Sequence, residues 1–379
     1  MNIDELRTKI NETDAHILEL LKERMSVAAQ IGQYKKENRL PIFDKQRERE
    51  ILSRLTDGQP DELAGSIKTV FSTLFEVSRA YQASIISERS PLSLLLDKAI
   101  KNTPEAFPEK AVVACQGVEG AYSQTACDKL FSIPDIMYLN SFQKVFGAVD
   151  SGLCRYGILP LENSTAGSVN EVYDLMNQYS FYIVRSLKLR IQHTLLAPIG
   201  TKLSDIKEIF SHEQALSQCS SFLKTLTGVK ITPCENTASA AKLASESGRT
   251  DIAVISSHDC ADLYGLSVLS YGIQNTDSNY TRFICISKTP EIYPGANKTS
   301  LMLSLKHRPG ALYYIIAKFN ALGINLIKLE SRPIPGRDFE FMFYFDIDAP
   351  ICSDSLRLVI SELEREAEMF DYLGSYQEI

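Results

Sequence analysis

The run NYTRF, residues 279–283, sets an asparagine, a threonine and an arginine directly ahead of the apolar triplet Ile284, Cys285 and Ile286. The triplet reads as a buried strand, so Thr281 and Arg282 stand at its mouth. The run holds no histidine or lysine to act as a base. It offers an uncharged hydroxyl beside a guanidinium, a pair suited to an anion. Two other runs share this character. Glu162, Asn163, Ser164 and Thr165 follow the strand-like YGILPL, and Ser211, His212, Gln214 and Gln218 follow IKEIF. Taken singly, such residues cap helices or shape turns. Three clusters at strand ends, rich in hydroxyls and amides, point instead to one polar anion pocket, because ligand loops of open α/β sheets lie there. GVEGAYSQTA adds a Gly-rich turn before a helix, a further place for an anion. It lacks the G-x-G-x-x-G spacing and the downstream acid of a dinucleotide site.

A second constellation lies near the start. Positions 3, 6, 10, 13, 17, 20, 24, 27, 31 and 34 step alternately by three and four, and hold Ile3, Leu6, Ile10, Thr13, Ile17, Leu20, Arg24, Val27, Ile31 and Tyr34. This heptad seam predicts a helix packed on partner helices. Arg24 interrupts it, at a cost of order 3 kcal/mol or more unless an anion meets it. Either a glutamate of a neighbouring helix pairs with it, or it is the counter-ion of an anionic ligand, for which its planar fork suits carboxylates. Lys35 points the same way about 17 Å along the helix, close enough to share a small dianion. Arg7 lies about 26 Å from Arg24 and reaches such a ligand only from a second chain. Asp44, Arg47 and Glu48 precede Ile51 and Leu52 in a run whose spacing alone favours a solvated charge cluster. Ser78 and Gln82, four apart, share a helical face.

Three compositional zones must position these groups. Residues 1 to about 95 read as wholly helical, with breaks near RLPIFD and TDGQPDELAG. After the linker KAIKNTPEAFPEK, residues 111 to about 288 alternate short apolar runs with helical ones, which predicts an α/β zone with a largely parallel sheet. After TPEIYPGANK the tail reads strand, helix, strand, strand, helix, strand, the ferredoxin-like βαββαβ plan.

Composition bounds the function. The chain has 379 residues, 44% apolar and 23% charged, as in multidomain globular proteins. A net charge of −7 argues against a nucleic-acid surface. The polar start MNIDELRTKI predicts no signal peptide, and no apolar run approaches a membrane span. Eight cysteines stand singly with no C-x-x-C, which predicts reduced core thiols and a cytoplasmic setting. Five scattered histidines offer no metal-ligand spacing, so no metal or cofactor is expected.

LRTKINETDAHILELLKERMSVAAQIGQYKKENRLPIFDKQRERE, residues 6–50, resembles the all-helical chorismate mutases. The resemblance implies a helical dimer that rearranges chorismate to prephenate. Arg7 of the partner chain, Arg24 and Arg47 would bind carboxylates, Lys35 and Gln82 the ether oxygen, and Asp44, Glu48 and Ser78 the rest of the ligand. ILPLENSTAGSVNEVYDLM, SHEQALSQC, ENTASAA, LYGL and NYTRF resemble prephenate dehydratase, a two-lobed fold like a periplasmic binding protein. That resemblance implies expulsion of a ring hydroxyl and carbon dioxide from prephenate, with Thr281 assisting the leaving hydroxyl. Asn163, Ser164, Thr165, Ser211 and Gln218 would line the pocket, and Arg282 would anchor a carboxylate or support the site. Val118 and Glu213 stand where that family commonly has proline. RPGALYYIIAKFNALGINLIKLESRP resembles the ACT regulatory domain. It implies phenylalanine binding between paired domains by Gly310, Ala311, Leu312, Asn325, Glu330, Ser331, Arg332 and Pro333.

The expected domains are 1–95 (mutase), 111–288 (dehydratase) and 298–377 (ACT). The implied whole is a cytoplasmic homodimer or higher homo-oligomer that makes phenylpyruvate from chorismate and is inhibited by phenylalanine. The rivals are a dehydratase preferring arogenate, whose amine wants an acidic or carbonyl partner that no run of the sequence singles out, and a non-catalytic amino-acid sensor. A mutase–dehydrogenase fusion is disfavoured by the missing dinucleotide fingerprint.

Overall fold

A computed structural model describes residues 2–86, 90–306, 309–334, 336–337 and 340–379. His307 and Arg308, at the head of the RPGAL run, lie outside them. The chain divides into two compact units, residues 1–94 with 358–365 and residues 95–357 with 366–379.

In the first unit α1 (Ile3–Glu37), α2 (Lys45–Thr56) and α3 (Asp61–Ile86) follow one another. Asn2 starts α1 with a reciprocal cap: its Oδ1 accepts from the Asp4 and Glu5 amides at 2.8 and 3.0 Å, while Glu5 accepts from the Asn2 amide at 3.2 Å. Asp44 caps α2 by accepting from the Arg47 amide at 3.0 Å. α1 packs along α3. Its covered stripe is Leu21, Arg24, Met25, Ala28, Gly32 and Lys35, displaced from the heptad seam. Ala28 and Gly32 set that choice by letting the backbones approach; a Cβ on Gly32 would stand 3.3 Å from Gln82 Cα. The seam residues Ile3, Leu6, Ile10, Ile17, Leu20, Val27, Ile31 and Tyr34 remain 42% to 65% exposed on the single chain. Arg24 alone belongs to both stripes.

The second unit starts within α4 (Pro91–Asn102) and continues with β1 (Lys110–Gln116), α5 (Tyr122–Leu130), β2 (Ile133–Leu139), α6 (Phe142–Asp150), β3 (Tyr156–Asn163), β4 (Gly167–Ser168), α7 (Asn170–Met176) and β5 (Tyr182–Arg190). The chain then builds a second lobe from β6 (Thr194–Pro198), β7 (Glu208–His212), α8 (Glu213–Gln218), α9 (Ser220–Leu223), β8 (Lys230–Cys234), α10 (Thr237–Glu246), β9 (Ile252–Ser256), α11 (Asp259–Tyr264) and β10 (Leu266–Ser270). β11 (Tyr280–Ser287) returns to the first lobe between β5 and β3. The second lobe has its own sheet, ordered β10-β6-β9-β7-β8.

These sheets are mixed, which corrects the expectation of a largely parallel one. β1 lies parallel to β2 and β3, and β7 to β8 and β9, whereas β11 runs antiparallel to both neighbours and β6 antiparallel to β9 and β10. Each crossover between lobes reverses the chain direction, which periodicity within a strand cannot reveal. Alternation still assigns the faces: Ala114 joins the core under α6 and α7, while Val113 and Cys115 join the core under α5.

The tail supplies β12 (Lys298–Ser304), α12 (Ala311–Ala321), β13 (Asn325–Pro333), β14 (Phe341–Asp348), α13 (Asp354–Glu366) and β15 (Met369–Glu378). Its strands order as β13-β14-β12-β15, and β15 pairs with β5, so the sheet of the first lobe continues into the tail. Gly374, at φ 139°, makes that junction; a Cβ there would stand 2.2 Å from the Ile183 carbonyl oxygen. Six of the cysteines are buried thiols, Cys234 is half-buried and Cys352 is exposed. No described helix is long and apolar enough to cross a membrane.

Candidate active site

In the first unit Arg24 reaches from α1 to α3, donating to the Leu74 carbonyl at 3.1 Å and to Ser78 Oγ. Its guanidinium lies 5.8 Å from the Phe75 ring. Burial lowers its pKa, against the opposing field of Glu48. Glu48 itself pairs with Arg79, which sequence reasoning overlooked because only Ser78 and Gln82 were read as facing inward. Among the described residues no carboxylate hydrogen-bonds Arg24. Lys35 Nζ donates to the Ile42 carbonyl at 2.6 Å, closing the break after α1. Gln82 is 7% exposed, and its Oε1 is buried with no partner among the described residues. Ser78, Arg24, Gln82 and Lys35 thus line the α1–α3 seam. Arg7 and Arg47 do not join them on this chain: each faces solvent beside its own helix neighbour, Asp4 or Glu50.

In the second unit a cleft of about 390 Å³ lies between the lobes. Thr281 and Phe283 of β11, Asn163 of β3, Gln218 of α8, the starts of α5 and α10, and the crossover residue His193 line it. Asn163 organises its floor. Its Oδ1 accepts from the Thr165 and Ala166 backbone amides, both at 3.0 Å, and from Thr165 Oγ1 at 2.7 Å. Backbone amides only donate, so the other end of the side chain must be the NH2 group. That group donates to Thr281 Oγ1 at 2.9 Å, to Asn279 Oδ1 at 2.8 Å and to the Tyr280 carbonyl at 3.2 Å. Thr281 Oγ1 is therefore an acceptor within the protein, and its own proton is left to be given into the cleft. Gln218 Nε2 donates to Thr165 Oγ1 at 2.8 Å.

Asn163, Thr165, Gln218 and Thr281 converge, then, as expected from sequence. Three expected residues do not. Ser211 is fully buried and donates to the Ile255 carbonyl at 2.6 Å; it occupies an inward position of β7 and holds β9. Ser164 ties the loop to the crossover, donating to the Ser278 carbonyl and accepting from the Tyr280 amide, both at 2.9 Å. Arg282 is the clearest correction. Strand alternation turns it away from Thr281, where it is 3% exposed and paired with Asp346, with Glu378 at 3.0 Å and with Glu162 at 3.4 Å. Burial opposes its charge, but Tyr376 and Asp346 hold its pKa well above the ordinary range. Of its two expected roles, anchor or support, burial and three acidic partners fit support.

Among the described residues the lining contains no lysine or arginine, but it does contain Glu171 and Glu235. It also adds groups that sequence reading did not single out, among them Gln116, Tyr122, Ser123, His193 and Asn236. The Gly-rich run was visible as a helix start and ENTASAA through its resemblance to prephenate dehydratase, whereas His193 stands in no motif. His212 caps α8, its Nδ1 accepting from the Gln214 amide at 3.3 Å, and burial lowers its pKa.

In the tail Gly310, at φ 81°, starts α12, with Ala311 and Leu312 in its first turn. Asn325, Ser331 and Pro333 lie on the exposed face of β13. The alternate face meets the β3–α7 segment: Ser168 donates to Glu330 at 2.6 Å, Lys328 pairs with Glu162, and Arg332 grips Asp174 with two bonds of 2.9 and 2.8 Å.

Comparison with known proteins fits both sites. The family model for prephenate dehydratase matches residues 113–291, and that for chorismate mutase type II matches residues 6–83. The bifunctional chorismate mutase/prephenate dehydratase of Escherichia coli K12 is 32% identical over 381 residues, covering 98% of this chain and 95% of that protein. The chloroplastic arogenate dehydratase/prephenate dehydratase 2 of Arabidopsis thaliana is 35% identical over 316 residues, 79% of this chain and 81% of its own length. The crystal structure of prephenate dehydratase from Arthrobacter aurescens with L-Phe superposes with a TM-score of 0.65 at 27% identity, covering 70% of this chain and 89% of that one. The chain belongs to the bifunctional chorismate mutase/prephenate dehydratase family, whose members rearrange chorismate to prephenate and convert prephenate to phenylpyruvate.

Proposed function

We propose that the two reactions run in two separate sites, each built on oriented donors with no covalent step. At the first, Arg24 and Arg47 with Arg7 of a second chain bind the carboxylates of chorismate. Lys35 and Gln82 hydrogen-bond the ether oxygen as it gains negative charge, and Asp44, Glu48 and Ser78 complete the pocket. The rearrangement is a unimolecular shift of electron pairs, so orientation and charge stabilisation suffice. Support comes from Arg24, which meets hydroxyl and carbonyl oxygens in place of an internal acid. The bare heptad seam of α1 supports a homodimer, since its exposed apolar stripe suits a second copy.

The single observation that carries the second site is Thr281, held at its oxygen by Asn163 and lining the cleft. Its proton is placed for the departing ring hydroxyl, which leaves as water while the ring carboxylate leaves as carbon dioxide and the ring becomes aromatic. With Arg282 withdrawn, the amides at the starts of α5 and α10 are the donors for carboxylates.

The tail is read as an ACT domain, with limits of 298–377 beside 1–95 and 111–288. Phenylalanine would bind through Gly310–Leu312, Asn325 and Glu330–Pro333, and favour a less active state in a cytoplasmic oligomer. One further substrate deserves a test. Glu171 and Glu235 give the cleft the acidic partner that arogenate's ammonium wants. Incubating the purified protein with chorismate, prephenate or arogenate, with and without phenylalanine, and identifying the products tests the whole reading. Prephenate and phenylpyruvate from chorismate, with phenylalanine slowing the second step, is the expected result. Chorismate consumption without phenylpyruvate would overturn it.

A further inference from the structure

The polarity of the hydrogen bonds in the cleft can be followed one residue beyond Gln218. Because Asn163 Oδ1 is committed as an acceptor by two backbone amides, Gln218 must turn its NH2 group toward Asn163 and Thr165. Gln218 Oε1 then faces the other way, where it accepts from Asn279 Nδ2 at 3.0 Å and lies 2.9 Å from His193 Nε2. An amide oxygen cannot donate, so His193 Nε2 must carry the proton. His193 is 2% exposed, and its Nδ1 is buried without a partner among the described residues. It stands in the crossover between β5 and β6. Its own backbone is tied to the opposite crossover: its amide donates to Gln274 Oε1 at 3.1 Å and its carbonyl accepts from the Ile273 amide at 3.1 Å.

We infer that His193 is a positioning residue for the dehydratase reaction, its Nε2–H bracing Gln218, whose Nε2 reaches Asn163 Oδ1 at 3.4 Å, in the chain His193 to Gln218 to Asn163 to Thr281. Without that donor Gln218 Oε1 is held by Asn279 Nδ2 alone. The Gln218 side chain is then braced at one point fewer, and its own hold on Thr165 and Asn163 loosens. Asn163 is what keeps the Thr281 oxygen an acceptor and so aims its proton at the cleft. The inference rests on the reading of Thr281 as the group that meets the leaving hydroxyl.

Three variants and one spectrum test it. Thr281→Ala is the control for the underlying reading: if it keeps full phenylpyruvate formation, that reading fails whatever His193 does. Given loss in Thr281→Ala, His193→Phe should lower kcat for prephenate tenfold to a hundredfold, the scale of a small misplacement, with KM within about threefold. His193→Gln, which presents an N–H at the same reach, should return kcat to within about threefold of the parent. Wild-type kcat in His193→Phe, or equal loss in His193→Phe and His193→Gln, would overturn the inference. The spectrum needs no variant to fold: in protein labelled with 15N-histidine, the His193 ring should show a protonated Nε2 and a bare Nδ1 at neutral pH. The opposite tautomer would overturn it.

Discussion

Neighbouring residues on β11 have opposite fates, and two predictions follow from that alternation. Thr281 faces the cleft and Arg282 faces the tail. Thr281→Ala should cut phenylpyruvate formation by roughly a hundredfold to ten-thousandfold, the usual worth of a positioned proton donor, and leave chorismate consumption unchanged. Equal loss of both activities would refute separate sites. Arg282→Met leaves Asp346 buried without its cation, so it should destabilise the second unit by about 3–5 kcal/mol. A calorimetric scan showing an unaltered transition, together with a raised KM for prephenate, would return Arg282 to the substrate. On α1, Gly32→Ala brings a methyl within 3.3 Å of Gln82. Mutase kcat should drop several-fold with little change in dehydratase rate, because Gln82 is displaced from the seam.

Elements matter here through how their edges are joined. β15 closes the tail sheet and also pairs with β5, the neighbour of β11, which carries Thr281. The crossing is possible because residue 374 has no side chain and adopts φ 139°. Gly374→Val should therefore break the β5–β15 junction. Amide exchange of Ser186 and Lys188, whose backbone groups face β15, ought to accelerate while the β1–β2 ladder keeps its protection; uniform protection would show that the junction tolerates the added bulk. β13 illustrates the same point from the other edge. Its alternate residues Lys328, Glu330 and Arg332 grip the segment that carries Asn163, a use of the E-S-R-P run that its resemblance to an effector motif did not foretell.

On the scale of the molecule, the long α1 carries two stripes and spends one of them within its own unit. The stripe of Leu21, Met25, Ala28 and Gly32 meets α3, while the heptad seam lies bare. If that seam receives a second copy, Arg7 of one chain completes the site of the other. Mixing Arg7→Ala and Arg24→Ala proteins under exchanging conditions should then restore about a quarter of wild-type mutase sites, one in each hybrid dimer. No recovery after confirmed subunit exchange would confine the site to a single chain.

Periodicity and composition by themselves determined the helical first zone, the strands that carry each polar cluster, the βαββαβ tail and the presence of hydroxyl and amide groups at strand mouths. These are local properties, written in steps of two or three to four residues. Only the tertiary structure decided which clusters share a cavity. It drew Asn163, Gln218 and Thr281 together, added His193 from a crossover with no motif, and removed Ser211 and Arg282 by burying them against partners distant in sequence. It also made the sheets mixed. Direction of pairing and the identity of a buried charge's partner depend on contacts between residues far apart in the chain, and no single run of sequence contains both halves of such a contact.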